Sequence, residues 1–305
     1  MASQLPEPTS SALDPSQTAP HEAAEAHLYP GSRHAITVRK PDIQFEPSIP
    51  NHWLGGNALA THVFNGMNLV FPDGERFFIK AVRDQMAQVD DPGLQKQVQG
   101  FIGQESRHAF EHERYFERLE VQGYEVKTFL RRFHAFKEWT NRWLPAPVRL
   151  SMTAGAEHYT ATFGALALGD DALLEHAHPT MAKLISWHAT EEIEHKAVAY
   201  DVLQATSPSY FLRIFGLLLA TVSLFGWSIA GTRMLIKQDL AAGRITKSQL
   251  RAMRRDLRER DGGRGPSSVR HGIRDYLRRD FHPNQVDDLP LAHRRLIELG
   301  LPVSA

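Results

Sequence analysis

From Trp53 to Thr206 apolar side chains return every three or four positions, the spacing of one helix face. No stretch shows the period of two that marks a half-buried strand. The pattern predicts helices over residues 54–69, 75–89, 92–121, 126–143, 145–168 and 179–206, and hence an all-α fold. Punctuation supports these limits. Phe71-Pro72-Asp73-Gly74 divides the first two helices. Asp91-Pro92 reads as an N-cap followed by proline at the first helical position. Gly123 and Gly169 read as stops, and Pro208 ends the last helix. Residues 35–45, with Ile36, Val38 and Ile43, read as extended. Residues 1–34 are rich in Ala, Ser, Pro and Glu, lack a signal-peptide core, and read as a disordered tail.

Residues 214–232 carry no charge and are bracketed by Arg213 and Arg233. As a helix they would run about 28 Å, close to the hydrocarbon thickness of a bilayer. Such a segment spans a membrane, lies in its interface, or walls a pocket for an apolar substrate. Two basic helical segments follow, 247–260 and 268–279, separated by a break at Gly262 to Gly265.

Formal charge sums to zero, which argues against a nucleic-acid partner. The sum hides an asymmetry: from Arg233 onward 16 Lys and Arg face 9 Asp and Glu, a net of +7, so the rest carries −7. A basic end suits an anionic membrane surface as a further partner. The expected placement is cytoplasmic, peripheral to or anchored on the inner face of the cell membrane. The chain has no cysteine, which excludes disulfides, thiolate metal sites and cysteine nucleophiles. Any metal must rest on His, Asp and Glu, donors suited to Fe, Mn, Zn or Mg.

The chemistry-bearing pattern is a repeated Glu-x-x-His. Glu105 and His108 form one copy, Glu192 and His195 the other. A spacing of three puts both side chains on one helix face, within reach of one ion. Glu157 sits in Thr153-Ala154-Gly155-Ala156-Glu157, where small neighbours let backbones approach and leave room for ions. Glu75 lies in a first helical turn, beside Phe77 and Phe78. A single copy is common on solvated helices. The order Glu, Glu-x-x-His, Glu, Glu-x-x-His is the ligand order of di-iron and di-manganese carboxylate bundles. Four carboxylates would offset two divalent ions. His188 stacks on the same face, four before Glu192 and seven before His195, and Glu191, three after His188, competes with Glu192. His112 reads as a polar edge position and His158 as a packing residue. Tyr159 is expected beside the ligands. Glu194 faces solvent or anchors a ligand, and Arg76, Arg107 and Lys196 either pair with ligands or are exposed.

On Pro72-Asp73-Gly74-Glu75-Arg76-Phe77-Phe78, Gln104-Glu105-Ser106-Arg107-His108, Ala156-Glu157-His158-Tyr159-Thr160 and Trp187-His188-Ala189-Thr190-Glu191-Glu192-Ile193-Glu194-His195 the chain resembles the ferritin-like superfamily. More narrowly, over about residues 35–279, it resembles the bacterial family labelled predicted metal-dependent hydrolase. The resemblance implies a ferritin-like four-helix bundle with a dinuclear metal core, plus extra C-terminal helices. It implies Glu75, Glu105, His108, Glu157, Glu192 and His195 as ligands. The likeness of His-x-x-x-Glu-x-x-His to the arylamine-oxygenase branch adds His188. The organisation expected is a tail over 1–34, a metal-binding bundle over 35–208, an apolar helical segment over 209–237 and a basic helical region over 238–305.

Two divalent ions are the expected cofactors, iron ahead of manganese or zinc. The chemistry expected first is an O₂-activating oxidoreductase acting on an apolar or lipid-like small molecule, with O₂ and an electron donor as partners. The alternative is a metal-dependent hydrolase of an ester or phosphoester, since no Ser-His-Asp arrangement or nucleophile elbow is apparent. Behind both stands a non-enzymatic role in iron binding or storage, or as a membrane-attached scaffold.

Overall fold

The computed structural model describes residues 34–261 and 264–304; the tail expected over 1–34 lies outside the described residues but for His34, as do Gly262 and Gly263 of the expected break. Among the described residues the fold is all-α, with no strand and a single isolated bridge between Leu54 and Ala177.

Helix α1, Ala58–Asn68, starts later than periodicity suggests. Gly55 and Gly56 take positive φ (57° and 73°), a turn that glycine enters without strain, and Asn57 then caps the helix on Ala60 N–H. Helix α2, Phe71–Arg83, starts earlier than expected. Pro72 lies in its first turn, where the missing N–H costs nothing. Glu75 therefore sits in the second turn, not the first, and Leu69 and Val70 alone separate the two helices. Helix α3, Pro92–Val121, is capped by Asp91 as expected. Helices α4, Lys127–Trp143, and α5, Ala146–Gly169, follow within two residues of the expected limits.

The stretch expected as one helix over 179–206 is two, α6, Pro179–His195, and α7, Val198–Thr206. The ladder breaks just past His195, where Lys196 turns its ammonium to Val286 O and Asp288. Helix α8, Tyr210–Ala241, extends well past the uncharged stretch at both ends. Helices α9, Lys247–Asp261, and α10, Arg264–Tyr276, match the basic segments, and α11, Leu289–Glu298, was not expected.

Helices α2 and α3 pack together, as do α5 and α6, and the two pairs face each other through α2 on α5 and α3 on α6. Helix α8 lies across α5 and α1. Its closeness depends on missing side chains. A Cβ on Gly155 would meet Leu217 Cα at 2.8 Å, and one on Gly216 would meet Ser151 Oγ at 2.0 Å. The small residues around Glu157 thus make room for α8 rather than for ions. The N-terminal end of α8 is anchored by Arg213, which is buried among the rings of Tyr200, Tyr210, Tyr276 and Phe281 and donates to Arg278 O. By length and composition α8 is able to cross a membrane. In the fold its Gly216, Leu217, Ala220, Ser228 and Gly231 are buried, while Phe211, Phe215, Leu218 and Val222 are exposed on another face.

Candidate metal centre

The two helix pairs close around a cluster of carboxylates and imidazoles. Glu75 enters from α2, Glu105, His108 and His112 from α3, Glu157 from α5, and His188, Glu192 and His195 from α6. None of these eight is more than 6% exposed. Burying four carboxylates without partners is costly, so their neighbours decide what the cluster is for.

Glu105 Oε1 stands 3.1 Å from His195 Nε2 and 3.6 Å from His108 Nδ1. Glu192 is placed the same way, 3.4 Å from His195 Nε2 and 3.6 Å from His108 Nδ1. Each of these carboxylates thus lies between the two imidazoles. Glu157 is on the His195 side, at 3.2 Å. Glu75 is on the other side, where Glu75, Glu105 and His108, and also Glu75, His112 and His188, offer atoms within 4.8 Å of one another. His188 Nε2 is 2.8 Å from Glu192 Oε1.

Despite this crowding, many of the inward atoms make no hydrogen bond. Both oxygens of Glu75, Glu105 and Glu157, Oε2 of Glu192, Nδ1 of His108 and His112, and Nε2 of His195 are buried and unpartnered. Buried polar groups in proteins are nearly always satisfied. Atoms that approach to just over 3 Å without bonding aim at a shared point instead of at each other.

The outward atoms are, by contrast, fully engaged. Gln104 Nε2 donates to Thr37 O and Glu194 Oε2, which fixes its amide orientation. Its Oε1 then faces His195 Nδ1 at 2.9 Å, so Nδ1 carries the proton and Nε2 presents a lone pair inward. His108 is set by the same logic: its Nε2 donates to Glu191 Oε2 at 2.9 Å, leaving Nδ1 inward. Glu191 and Glu194 are held by Arg39, whose guanidinium also meets Ser304 Oγ and Pro302 O. His188 Nδ1 rests on His112 Nε2.

Protonation follows from these contacts. Burial, with Glu105 next in effect, holds the Glu75 carboxyl well above its usual range. Burial likewise lifts Glu157 to about 8, against the pull of His195. Glu192 is driven the other way: burial would raise it, but His195 and His188 hold it well below the usual carboxylate range. Burial alone would lower His108 and His195, but the neighbouring carboxylates of Glu105 and Glu191 raise His108 to about 10, and those of Glu192 and Glu157 raise His195. Burial pushes His112 and His188 down, reinforced by neighbouring imidazoles.

The donor set fits two divalent ions. Four carboxylates balance two 2+ charges, imidazole and carboxylate oxygen are hard-to-intermediate donors, and the unpartnered atoms supply lone pairs to both halves. All seven residues expected from the sequence as ligands meet here. The remaining expectations divide. His112 is buried in the cluster and not at a polar edge. Tyr159 is not beside the ligands: its hydroxyl bonds Thr221 on α8. Arg76 pairs with Glu113, Arg107 lies near Glu111 and Lys196 bonds Asp288, so none reaches a ligand. His158 packs on Tyr276 and bonds Gly272 O. Glu194 takes the anchoring role through Gln104. Sequence reasoning missed Arg39 and Gln104. Gln104 stood inside a quoted motif, but Arg39 lies in an extended segment with no period to mark it.

A second cluster, His52, His62 and Asp239, also has donor atoms within 4.8 Å of one another. It differs in that Asp239 Oδ2 already meets both histidines and Oδ1 accepts from Tyr124 and Arg244. It is a clasp that joins the segment before α1, α1 itself, the α3–α4 turn and the end of α8.

The family model described as predicted metal-dependent hydrolase matches residues 37–287, and the chain belongs to that family. No curated protein and no solved structure matches it.

Proposed function

We propose that this member of the predicted metal-dependent hydrolase family is an enzyme whose helices hold two divalent ions between them. Glu105 and Glu192, each lying between two imidazoles, would be shared by both ions. Glu157 and His195 would complete one half, and Glu75, His108 and His188 the other. The order of these residues along the chain supports a bundle of the ferritin-like kind. The observation that carries the reading is the set of buried, unpartnered oxygens and nitrogens contributed by four helices to one point.

Between the two chemistries expected from the sequence, the family description favours hydrolysis of an ester or phosphoester over oxidation. Bound ions would supply Lewis acidity and a water of lowered pKa. The protein's own part is orientation and proton handling. Gln104 and Glu191 fix the tautomers of His195 and His108, Arg39 locks Glu191 and Glu194, and the Trp187 and Phe101 rings pack edge-on against His108 and His195 and exclude bulk water.

Oxidation is kept as a second reading by one observation. The ligand side chains are buried, and O₂ reaches a buried centre more easily than a hydrated ester does. Iron is the metal expected under this reading, manganese or zinc under the first. Purified protein loaded separately with Zn²⁺, Mn²⁺ and Fe²⁺ should turn over p-nitrophenyl ester or phosphate substrates in anaerobic buffer. No anaerobic hydrolysis, together with O₂ uptake by the reduced iron form, would replace hydrolysis by oxidation.

A further inference from the structure

A cavity of about 860 Å³ opens between α1, α5, α8 and α9. That volume suits a small-molecule site rather than a packing defect. Behind it lies a smaller space of about 60 Å³ whose wall includes His112, His188 and Glu192 of the cluster. The two spaces share Phe64, Met67, Phe163 and Ala167, so these four side chains are the partition between them. None of their side chains can donate a hydrogen bond, and the Met67 sulfur is only a weak acceptor. Anything that passes the partition must present an apolar end.

The cavity is polarised along its length. Helices α1 and α8 run antiparallel across it, since Thr232 Oγ1 bonds His62 O while Gly66 abuts Ser228 O. Its inner end is therefore lined by Phe64, Met67, Leu224 and Phe225. The outer end carries Asn57, Thr232, Arg233 and Asp256. Leu224 and Arg233 are nine residues apart on one helix, about 13 Å. Helix α9 contributes Met253, Asp256 and Leu257 to the rim. Arg233 is the cation at the mouth, with Asp256 opposite in charge, and the depth is greasy.

We infer that this cavity is the substrate channel, and that it takes a single-chain amphiphile: a linear apolar tail directed past Phe64, Met67, Phe163 and Ala167 toward His188 and Glu192, with an anionic head at Arg233, an orientation that brings C–H bonds to the cluster and so belongs with the oxidation reading. The inference rests on the proposed metal centre only for what lies beyond the partition. Val63, partly exposed on α1, and Ala167 are positions where added bulk fills the channel. Neither touches a ligand residue through a hydrogen bond.

The test uses the full chain and cis-parinaric acid, a linear carboxylate whose fluorescence rises in apolar surroundings, displaced by saturated carboxylates of increasing length. The channel predicts saturable binding, with affinity rising up to about fourfold per added methylene until the tail fills the cavity. Val63→Trp should weaken long chains at least tenfold, Ala167→Phe should move the length optimum to shorter chains, and Arg233→Glu should weaken the acid more than its methyl ester. Metal content of each variant is measured alongside. No saturable binding, a flat length dependence, or equal affinities in wild type, Val63→Trp and Arg233→Glu would overturn the channel. Chain binding by a protein that takes up no metal would leave the channel standing and remove the metal centre, so the two readings fail separately.

Discussion

His195 Nδ1 faces Gln104 Oε1 at 2.9 Å, and that one contact decides which imidazole nitrogen is turned into the cluster. Gln104 can serve only as acceptor there, because its amide nitrogen is committed to Thr37 O and Glu194. Replacing Gln104 with Leu removes the acceptor and frees the ring to adopt either tautomer. Metal affinity, measured by competition with a chelator, should fall about 10- to 100-fold, the usual loss when a ligand's supporting partner is removed. An unchanged affinity would mean that Gln104 does not orient His195.

Arg39 binds Glu191 and Glu194 simultaneously, and all three side chains are buried. Arg39→Ala would leave the Glu194 carboxylate in the core without a counter-charge and Glu191 with His108 alone. Breaking a buried pair in this way costs about 3–5 kcal/mol. Urea unfolding should show a loss of that order, whereas a loss below about 1 kcal/mol, the range of surface ion pairs, would show that the charges are solvated.

The clasp at Asp239 makes a pH-dependent prediction. Burial alone would raise this carboxyl, but His52, His62, Arg244 and Tyr124 hold it well below the usual carboxylate range. A carboxylate depressed in the fold stabilises the protein fully above its unfolded value, about 3.9, and that contribution fades as pH falls toward the folded value. Asp239→Asn should therefore cost about 1–3 kcal/mol near pH 7, and the gap to wild type should narrow below pH 4. A gap of equal size at pH 7 and pH 3 would contradict this.

Helix α8 offers a paired test of close packing. A methyl on Gly216 would lie 2.0 Å from Ser151 Oγ and 2.3 Å from Ser151 C, whereas one on Gly226 would meet nothing within 4 Å. Gly216→Ala should destabilise by about 1–3 kcal/mol through overpacking. Gly226→Ala should be neutral or gain up to about 1 kcal/mol from helix propensity. Thermal melts of the two variants check the contrast.

The ligand set could be read from the chain because helical spacing converts sequence separation directly into geometry. Glu105 with His108, and Glu192 with His195, share a face whatever surrounds the helix. Glu191 could not be placed that way. One residue from Glu192, it points to another side, and its role as partner of His108 depends on how α3 meets α6. Arg39 and Ser304 lie at opposite ends of the chain and meet only through tertiary packing, so no local pattern announced them. Helix limits slipped where backbone chemistry overrode periodicity, at Gly55 and Gly56 and at Pro72. The division after His195 left no mark in the apolar pattern, and α11 is short enough for its period to go unnoticed.

The most direct test of the account is the metal stoichiometry of the purified full-length chain and of Glu105→Ala and Glu192→Ala, measured by mass spectrometry of the elements after loading with Fe²⁺, Mn²⁺ or Zn²⁺. Two ions per wild-type chain, lost in both variants because each removes a carboxylate shared by the two halves, is the predicted result. Fewer than two ions in the wild type under all three metals, or both ions retained in the two variants, would contradict it.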